Sequence, residues 1–516
     1  KAPETRMFTM RFSPKKLAAA IAALAVLALA GCTSSPTEPT EESSVTVALT
    51  SAPTSFAFGA LDLGSPTNVW TSIYTTILRI NGDGSISPAA AESYSYNADR
   101  TELTLSIRSG MTFSNDKKID ASIVKACLDY FKENGTNASN LQFVTGVEAK
   151  DESTVVISLS QPDPTLLGAL TRDSGAIADP DTFGDESRAL DPISSGAYDL
   201  DLEKTVNGDT YTLHRRSGLY NEDEYPFETV VFKVIADATA ALNALKSGQI
   251  SAGGLNQSTL KEAEASNITV NTTPGGVLFA LYLYDRDGAA LPALGDVRVR
   301  QAINYAIDRK QIVASLLAGN AQIATQVYAP GSVGYDPDLD DAYPYDVEKA
   351  KSLMADAGYA DGFDITMPSF SYTLPFEPTI TQQLADIGIR VTWQTIEITQ
   401  LATNITSRSY PMLYSLNGIS SAQTDTGSFV GENGPGNPFH TTNAEVAALL
   451  EEASLADGPE AEKSVYTSIS KYLVDNAWFA PIFYGPIQIG TVEGYDFDAP
   501  EALFWPDIRM IRPSKD

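Results

Sequence analysis

Cysteine and histidine are almost missing from these 516 residues, which contain only two of each. His214 and His440 lie far apart in sequence, too few and too scattered for a histidine-based catalytic triad or a zinc site. No Gly-x-Ser-x-Gly elbow, no Walker phosphate loop and no His-Glu-x-x-His stretch occurs. Cations are scarce as well: 35 Lys and Arg stand against 65 Asp and Glu, a formal net charge of −30. Such a chain repels nucleic acid and anionic lipid headgroups, so neither is expected as a partner surface. Long apolar runs are absent apart from Leu17 to Ala30. Carboxylate chemistry needs none of these signatures, so a hydrolase built on an Asp/Glu pair stays open.

What is present begins with that run. Arg11, Lys15 and Lys16 precede it, the charged-then-apolar order of a secretory signal. Its 14 residues make a helix of about 21 Å, too short for a hydrocarbon core of about 30 Å. The expectation is a cleaved leader, starting at Met7 or Met10. Leu29-Ala30-Gly31-Cys32 resembles the lipobox of bacterial lipoproteins, which implies that Cys32 is lipidated and becomes the first mature residue. Removing residues 1–31 takes away five basic residues and one acid and moves the net charge to −34. The acyl chains would then be the membrane attachment, at about 0.8 kcal/mol per buried CH₂. With Cys32 committed to lipid, Cys127 has no disulfide partner. Ile123, Ala126, Cys127 and Tyr130 follow helical spacing, so Cys127 reads as a buried structural thiol.

Residues 33–44 (TSSPTEPTEESS) carry no large apolar side chain and read as a solvated tether. Up to about Ser160 the body consists of short alternating segments. Thr101–Ile107 and Thr154–Ser160 alternate as half-buried antiparallel strands do, and Asn81-Gly82-Asp83-Gly84 marks a tight turn. The pattern then switches to strand–helix–strand units. Thr229–Ile235 precedes a helix capped by Asp237 and ended by Gly248. Asp346 caps a helix stopped by Gly358, strand Phe363–Met367 follows, and a helix near Thr379–Ile387 ends at Gly388 before strand Ile389–Ile396. These units predict a mainly parallel α/β lobe with helices on both faces. Asp336-Pro-Asp338-Leu-Asp340-Asp341 lacks the glycine and glutamate of a calcium loop and reads as a solvated acidic loop. Gly431–Gly436 follows no clear strand and reads as a loop.

One segment is specific enough to name a family. In Asp296–Leu317 (DVRVRQAINYAIDRKQIVASLL), Val299, Ala302, Ile303, Ala306 and Ile307 share a helical face, and Asp308 with Gln311 offers a capping box for a second helix. This resembles the "VRxAxxxAIDR" stretch of family-5 extracellular solute-binding proteins, where its role is structural. Asn81–Glu92, Leu105–Asn115, Pro192–Tyr198 and Ile235–Gly248 resemble further stretches of that family, the last its lobe-linking strand and helix. The resemblance spans nearly the whole mature chain. It implies an α/β fold of two lobes forming a clamshell, with an extra, mostly antiparallel β-rich subdomain in the first lobe. The implied order is leader 1–31, tether 32–44, lobe I 45–275 with subdomain 62–180 inserted, lobe II 276–481 and a return to lobe I over 482–516. Hinges would sit at Pro274-Gly275-Gly276 and Ala480-Pro481-Ile482.

The resemblance further implies a lipid-anchored monomer that captures a small solute, most often a peptide, and delivers it to ABC importer permease subunits outside the cytoplasm, without cofactor, metal or catalysis. Ligands of open α/β lobes lie beyond the carboxyl ends of strands. On that ground Phe370, Ser371 and Tyr372 are candidates, with a second cluster of Tyr414, Asn417, Ser421, Gln423 and Asp425 on the same lobe and Phe56, Phe58 and Trp70 on the other. Each aromatic reads equally well as core. Peptide-binding members carry a carboxylate early in the loop matching Ser420–Phe429; here Ala422 stands at that position. Either Asp425 takes the role or the ligand has no free α-amine. A sensor without a permease remains a third reading. Cys32→Ser is expected to move the protein into soluble fractions with its fold intact; a variant still tightly membrane-bound would refute the lipoprotein reading.

Overall fold

The structure is a computed structural model that describes residues 44–370, 372–397, 400–432, 434–456, 458–498 and 507–514. Cys32, the leader and most of the tether lie outside the described residues, as does Ser371.

The organising element is a nine-stranded mixed sheet. Strand Ser44–Leu49 lies parallel to Thr229–Val234 on one side and to Ala252–Leu255 on the other. Outward from Thr229–Val234 come Thr210–Arg215 and Tyr198–Leu200, both antiparallel. Outward from Ala252–Leu255 comes the long strand Phe479–Thr491, then Thr269–Leu283, then Met412–Gly418, again antiparallel. The mainly parallel lobe expected from sequence is therefore corrected. Besides the two pairs made by Ser44–Leu49, the described parallel pair is Phe363–Ser369 with Ile389–Thr395, joined by a helix over Glu377–Ala385. The strands that carry the chain between lobes run in opposite directions, which makes their pairing antiparallel.

Two cores flank that crossing. The first runs from Val45 to Phe232 and takes in Phe497, Ile508 and Ile511. It includes the antiparallel sheet 91–96, 102–107, 154–159, 144–149 and helix Ala121–Asn134, started by the Asp120 carboxylate. Cys127 sits inside this core, its thiol 3.3 Å from the Ala178 carbonyl, and burial pushes the thiol up to about 12. In the second lobe, strand Thr269–Leu283 is covered on both faces. Leu281 and Leu283 belong to one cluster, with the helices over 297–316. Leu278, Ala280 and Tyr282 belong to another, with the helices over 422–475.

The long strands pair from Thr269↔Thr491 to Tyr282↔Phe479, with shifts of register between Thr273 and Val277 and between Phe279 and Ala280. Opposite the first shift stand Ile487 and Gly485. Ala480-Pro481-Ile482, singled out from sequence as a hinge, lies at the second shift, where Phe279 and Ala280 face Phe483 and Pro481, and Ala480 and Ile482 are buried in the second-lobe core. In Ile235–Gly248, which the resemblance made the lobe link, Leu242 and Leu245 pack with Ile250, Ala263 and Ile268.

The local start signals act as read. Asp237 accepts from the Ala240 amide and Asp346 from Lys349. Asp296 starts helix Val297–Ala306 and Asp308 starts Arg309–Leu316. The reciprocal arm of the expected capping box is missing, because the Gln311 side chain accepts from Gln383, whose own oxygen takes the Asp308 amide. Two arginines of this motif are buried. Arg300 donates to the Leu294 and Asn476 carbonyls and Arg309 to the Asn304, Ala324 and Pro481 carbonyls. Burial lowers both below the usual arginine value, yet donors aimed at carbonyls keep them charged. Arg309→Met would strand these carbonyls, and a buried acceptor left unpaired costs about 1–3 kcal/mol. Urea unfolding should therefore show a loss of about 3 kcal/mol, whereas an unchanged midpoint would mean the clamp is dispensable.

Candidate ligand-binding site

A cavity of about 370 Å³ opens where the first-lobe core faces helix Ala422–Phe429 of the second lobe. That volume is in the range of small-molecule sites. The first-lobe wall starts from helix Thr67–Ile73. One side of that helix, Val69, Trp70 and Ile73, is buried, while Thr67, Asn68 and Thr71 reach the cavity. Trp70 also lines it, its indole N–H fixed by the Asp62 carbonyl at 2.8 Å. Tyr74 donates to the Phe56 carbonyl at 2.8 Å, so its ring is held rigidly at the wall. Tyr220 lies under the Arg108 guanidinium, 4.5 Å from ring centroid to cation.

Charge around the cavity is opposite to that of the chain. Among the described residues its lining holds three arginines, Arg79, Arg172 and Arg509, and two carboxylates, Asp425 and Asp507. Two of the arginines are committed. Arg79 binds Glu224 at 2.5 Å, Arg509 approaches the same carboxylate at 3.6 Å, and Arg509 also pairs with Asp507. Burial pushes the Glu224 carboxyl up, but Arg79 and Arg509 pull it below its usual value. Arg172 differs: among the described residues its guanidinium has no hydrogen bond or ion pair, while its charge still acts on Asp425.

Asp425 comes from the second lobe, in the first turn of helix Ala422–Phe429. It is 2% exposed. Its carboxylate accepts from the Ser420 amide at 3.0 and 3.2 Å. Burial drives its pKa up to about 8, against the opposing pull of that amide and of Arg172. At neutral pH the group is therefore largely protonated unless a cation joins it.

Three of the residues singled out from sequence line the cavity: Trp70, Asn417 and Asp425. The other described candidates are not part of its lining. Phe56 packs edge-on against Tyr211, and Phe58 stacks on Phe183 at 5.2 Å, so both belong to the first core. Tyr414 sits on the opposite face of its strand from Asn417, packed on Phe376, and its hydroxyl has no hydrogen-bond partner among the described residues. Phe370 stacks on Tyr372, whose hydroxyl meets Ser415 at 2.9 Å, and this folds their loop onto the second lobe. Ser421 is used as a helix cap, accepting from the Thr424 amide. Gln423 is half-buried beside it, outside the cavity lining. Sequence reasoning missed Arg79, Arg172, Tyr220, Tyr225 and Arg509. The usable signal was the scarcity of cations, which makes each arginine outside a helical pattern worth weighing. Of the stretch Gly431–Gly436, read as a loop, Gly434–Gly436 packs back on helix Ala422–Phe429, which forms the rim: the Gly436 N–H donates to the Ser428 carbonyl, and Pro435 lines the cavity. Among the described residues no cluster of three or more His, Cys, Asp or Glu could hold a metal ion. No described helix is long and apolar enough to cross a membrane.

Comparison with known proteins matches residues 85–439 to the family described as bacterial extracellular solute-binding proteins, family 5. The glutathione-binding protein GsiB of Escherichia coli (strain K12) is 25% identical over 434 residues, 80% of this chain and 83% of that protein. The periplasmic binding protein DppA of Helicobacter pylori, solved with the peptide STSA, superimposes with a TM-score of 0.76 at 20% identity, covering 92% of this chain and 98% of that one. NikA of Brucella suis, solved with Fe(III)-EDTA, gives 0.75 at 19% identity, covering 92% and 100%. The two-lobed α/β fold is shared with these structures.

The raised Asp425 pKa has a measurable consequence. The folded chain keeps a proton that the unfolded chain loses near pH 4, so stability falls as pH rises from about 4 to about 8 and then levels. Asp425→Asn should remove this loss. Its stability relative to wild type is expected to grow by up to about 1.4 kcal/mol per pH unit across that window. Parallel pH curves in chemical unfolding would show that the carboxyl is ionised in the fold.

Proposed function

Because the chain belongs to the bacterial extracellular solute-binding proteins of family 5, the solute-binding components of ABC importers, we propose that it is anchored outside the cytoplasm through Cys32 and captures a small peptide for delivery to a permease. The observation that carries the choice of solute is the pair Asp425 and Arg172, one from each lobe, facing one cavity. Neither has an ion-pair partner among the described residues, and the Arg172 charge acts on both Asp425 and the neighbouring buried Asp173. A solute presenting an ammonium group to Asp425 and a carboxylate to Arg172 completes both pairs at once. Trp70, Tyr74 and Tyr225 offer apolar surface between them. The peptide and glutathione named for the DppA structure and for GsiB favour the same class.

Capture works by closure. The lobes bend where the crossing strands lose register, at Thr273–Val277 and the facing Gly485–Ile487. A solute touching both walls stabilises the closed arrangement by its differential contacts, and by nothing else. No bond is made or broken. The closed form is what the permease receives.

Mass spectrometry of material released on denaturing the purified protein should identify an amine-bearing solute. Binding of its ammonium group ionises Asp425 and releases a proton at any pH below about 8. Affinity is therefore expected to rise by up to about tenfold per pH unit from pH 6 toward 8, then to flatten as the α-amine itself loses its proton. Asp425→Ala should weaken binding at least tenfold and abolish that slope. Unchanged affinity in Asp425→Ala, or affinity that falls as pH rises, would point to a ligand without a free amine.

A further inference from the structure

Helix Ala422–Phe429 of the second lobe meets the short helix Leu166–Ala169 of the first, and a glycine from each lobe stands at the meeting point. A Cβ on Gly427 would lie 2.2 Å from Thr165 Cγ2, and one on Gly168 would lie 2.5 Å from Thr424 Oγ1. The contact is thus crossed: each lobe sets a threonine against the other lobe's glycine. Neither glycine has a left-handed backbone. Alanine fits the local conformation at both positions, and the obstacle is the opposite lobe.

The threonines are not free to give way. Thr165 donates both its hydroxyl and its amide to the Asp163 carboxylate, at 2.7 and 2.8 Å, and Asp163 is itself buried. Thr424 Oγ1 accepts from the Ser421 hydroxyl at 3.0 Å, while its amide donates back to Ser421. The cavity begins immediately beyond. Thr171 and Arg172 follow the short helix, and Thr424 and Asp425 lie on the rim helix.

We infer that Gly168 and Gly427 are positioning residues for capture, a crossed glycine–threonine contact that the lobes can complete only when closed and that sets how near Arg172 and Asp425 approach. The inference rests on capture by closure but not on which solute is captured. A methyl group at either position raises the closed state alone. In the open state it is tolerated, since alanine is the better helix former. The apparent affinity of any solute held by the closed form falls with the closed fraction, though neither glycine needs to touch the solute.

The test uses the full chain carrying Cys32→Ser, with spin labels on Glu133→Cys and Glu452→Cys, both exposed and one on each lobe. Cys127 is fully buried and stays unlabelled. Electron–electron resonance on the protein as isolated should show a short-distance population in the parent. Gly427→Ala should reduce it at least tenfold with no drop in thermal midpoint. Adding Thr165→Ser, which removes Cγ2 and keeps the hydroxyl bond to Asp163, should restore it. Gly168→Ala should act in the same direction and decides the matter if Gly427→Ala fails to fold. A parent without the short-distance population overturns capture by closure and the inference with it. A short-distance population kept in the glycine variants, or no rescue by Thr165→Ser, overturns the glycine contact alone.

Discussion

The pairing of Thr269–Leu283 with Phe479–Thr491 is the constraint from which the rest of the molecule follows. These strands share one ladder through both lobes. Each lobe then adds its own neighbours to an end of that ladder: Ala252–Leu255 at one and Met412–Gly418 at the other. Backbone hydrogen bonds resist sliding along the strands, and the ladder is irregular at two places, between Thr273 and Val277 and between Phe279 and Ala280. A bend at such an irregularity would swing the far ends of the lobes while leaving the cores intact, because well-packed interiors do not deform continuously. The cavity lies where such a swing changes distances.

That placement accounts for the electrostatics of the site. A strongly acidic chain concentrates arginines at one opening, and all but one of them are neutralised in place. Asp425 adds a carboxyl whose burial outweighs the helix N-terminus that would favour its charge. The two incompletely satisfied groups come from different lobes.

Local signals were legible in the sequence wherever the physics is local. Asp237 and Asp346 cap their helices, Asn81–Gly84 turns, and the alternating runs near 102 and 154 pair with one another in the antiparallel sheet. The crossing strand was not read, because a strand buried on both faces has no alternation: Val277–Leu283 is an unbroken apolar run. The site was legible only in part. Trp70, Asn417 and Asp425 reach the cavity, but Phe58 and Tyr414 are aromatics whose partners, Phe183 and Phe376, are remote in the chain. Core and ligand surface use the same letters. Arg172 and Arg509 are identical as letters too; only the presence of Asp507 and Glu224 beside one of them separates a structural cation from an available one.

The late position of Phe479–Thr491 in the chain has a consequence for biogenesis. This strand pairs with Ala252–Leu255 of the first lobe and with Thr269–Leu283 across the second, so the nine-stranded sheet cannot be completed before residues 479–491 have emerged. Pairings of such large sequence separation are slow to form. A nascent polypeptide of this design therefore holds its central sheet incomplete until that strand arrives.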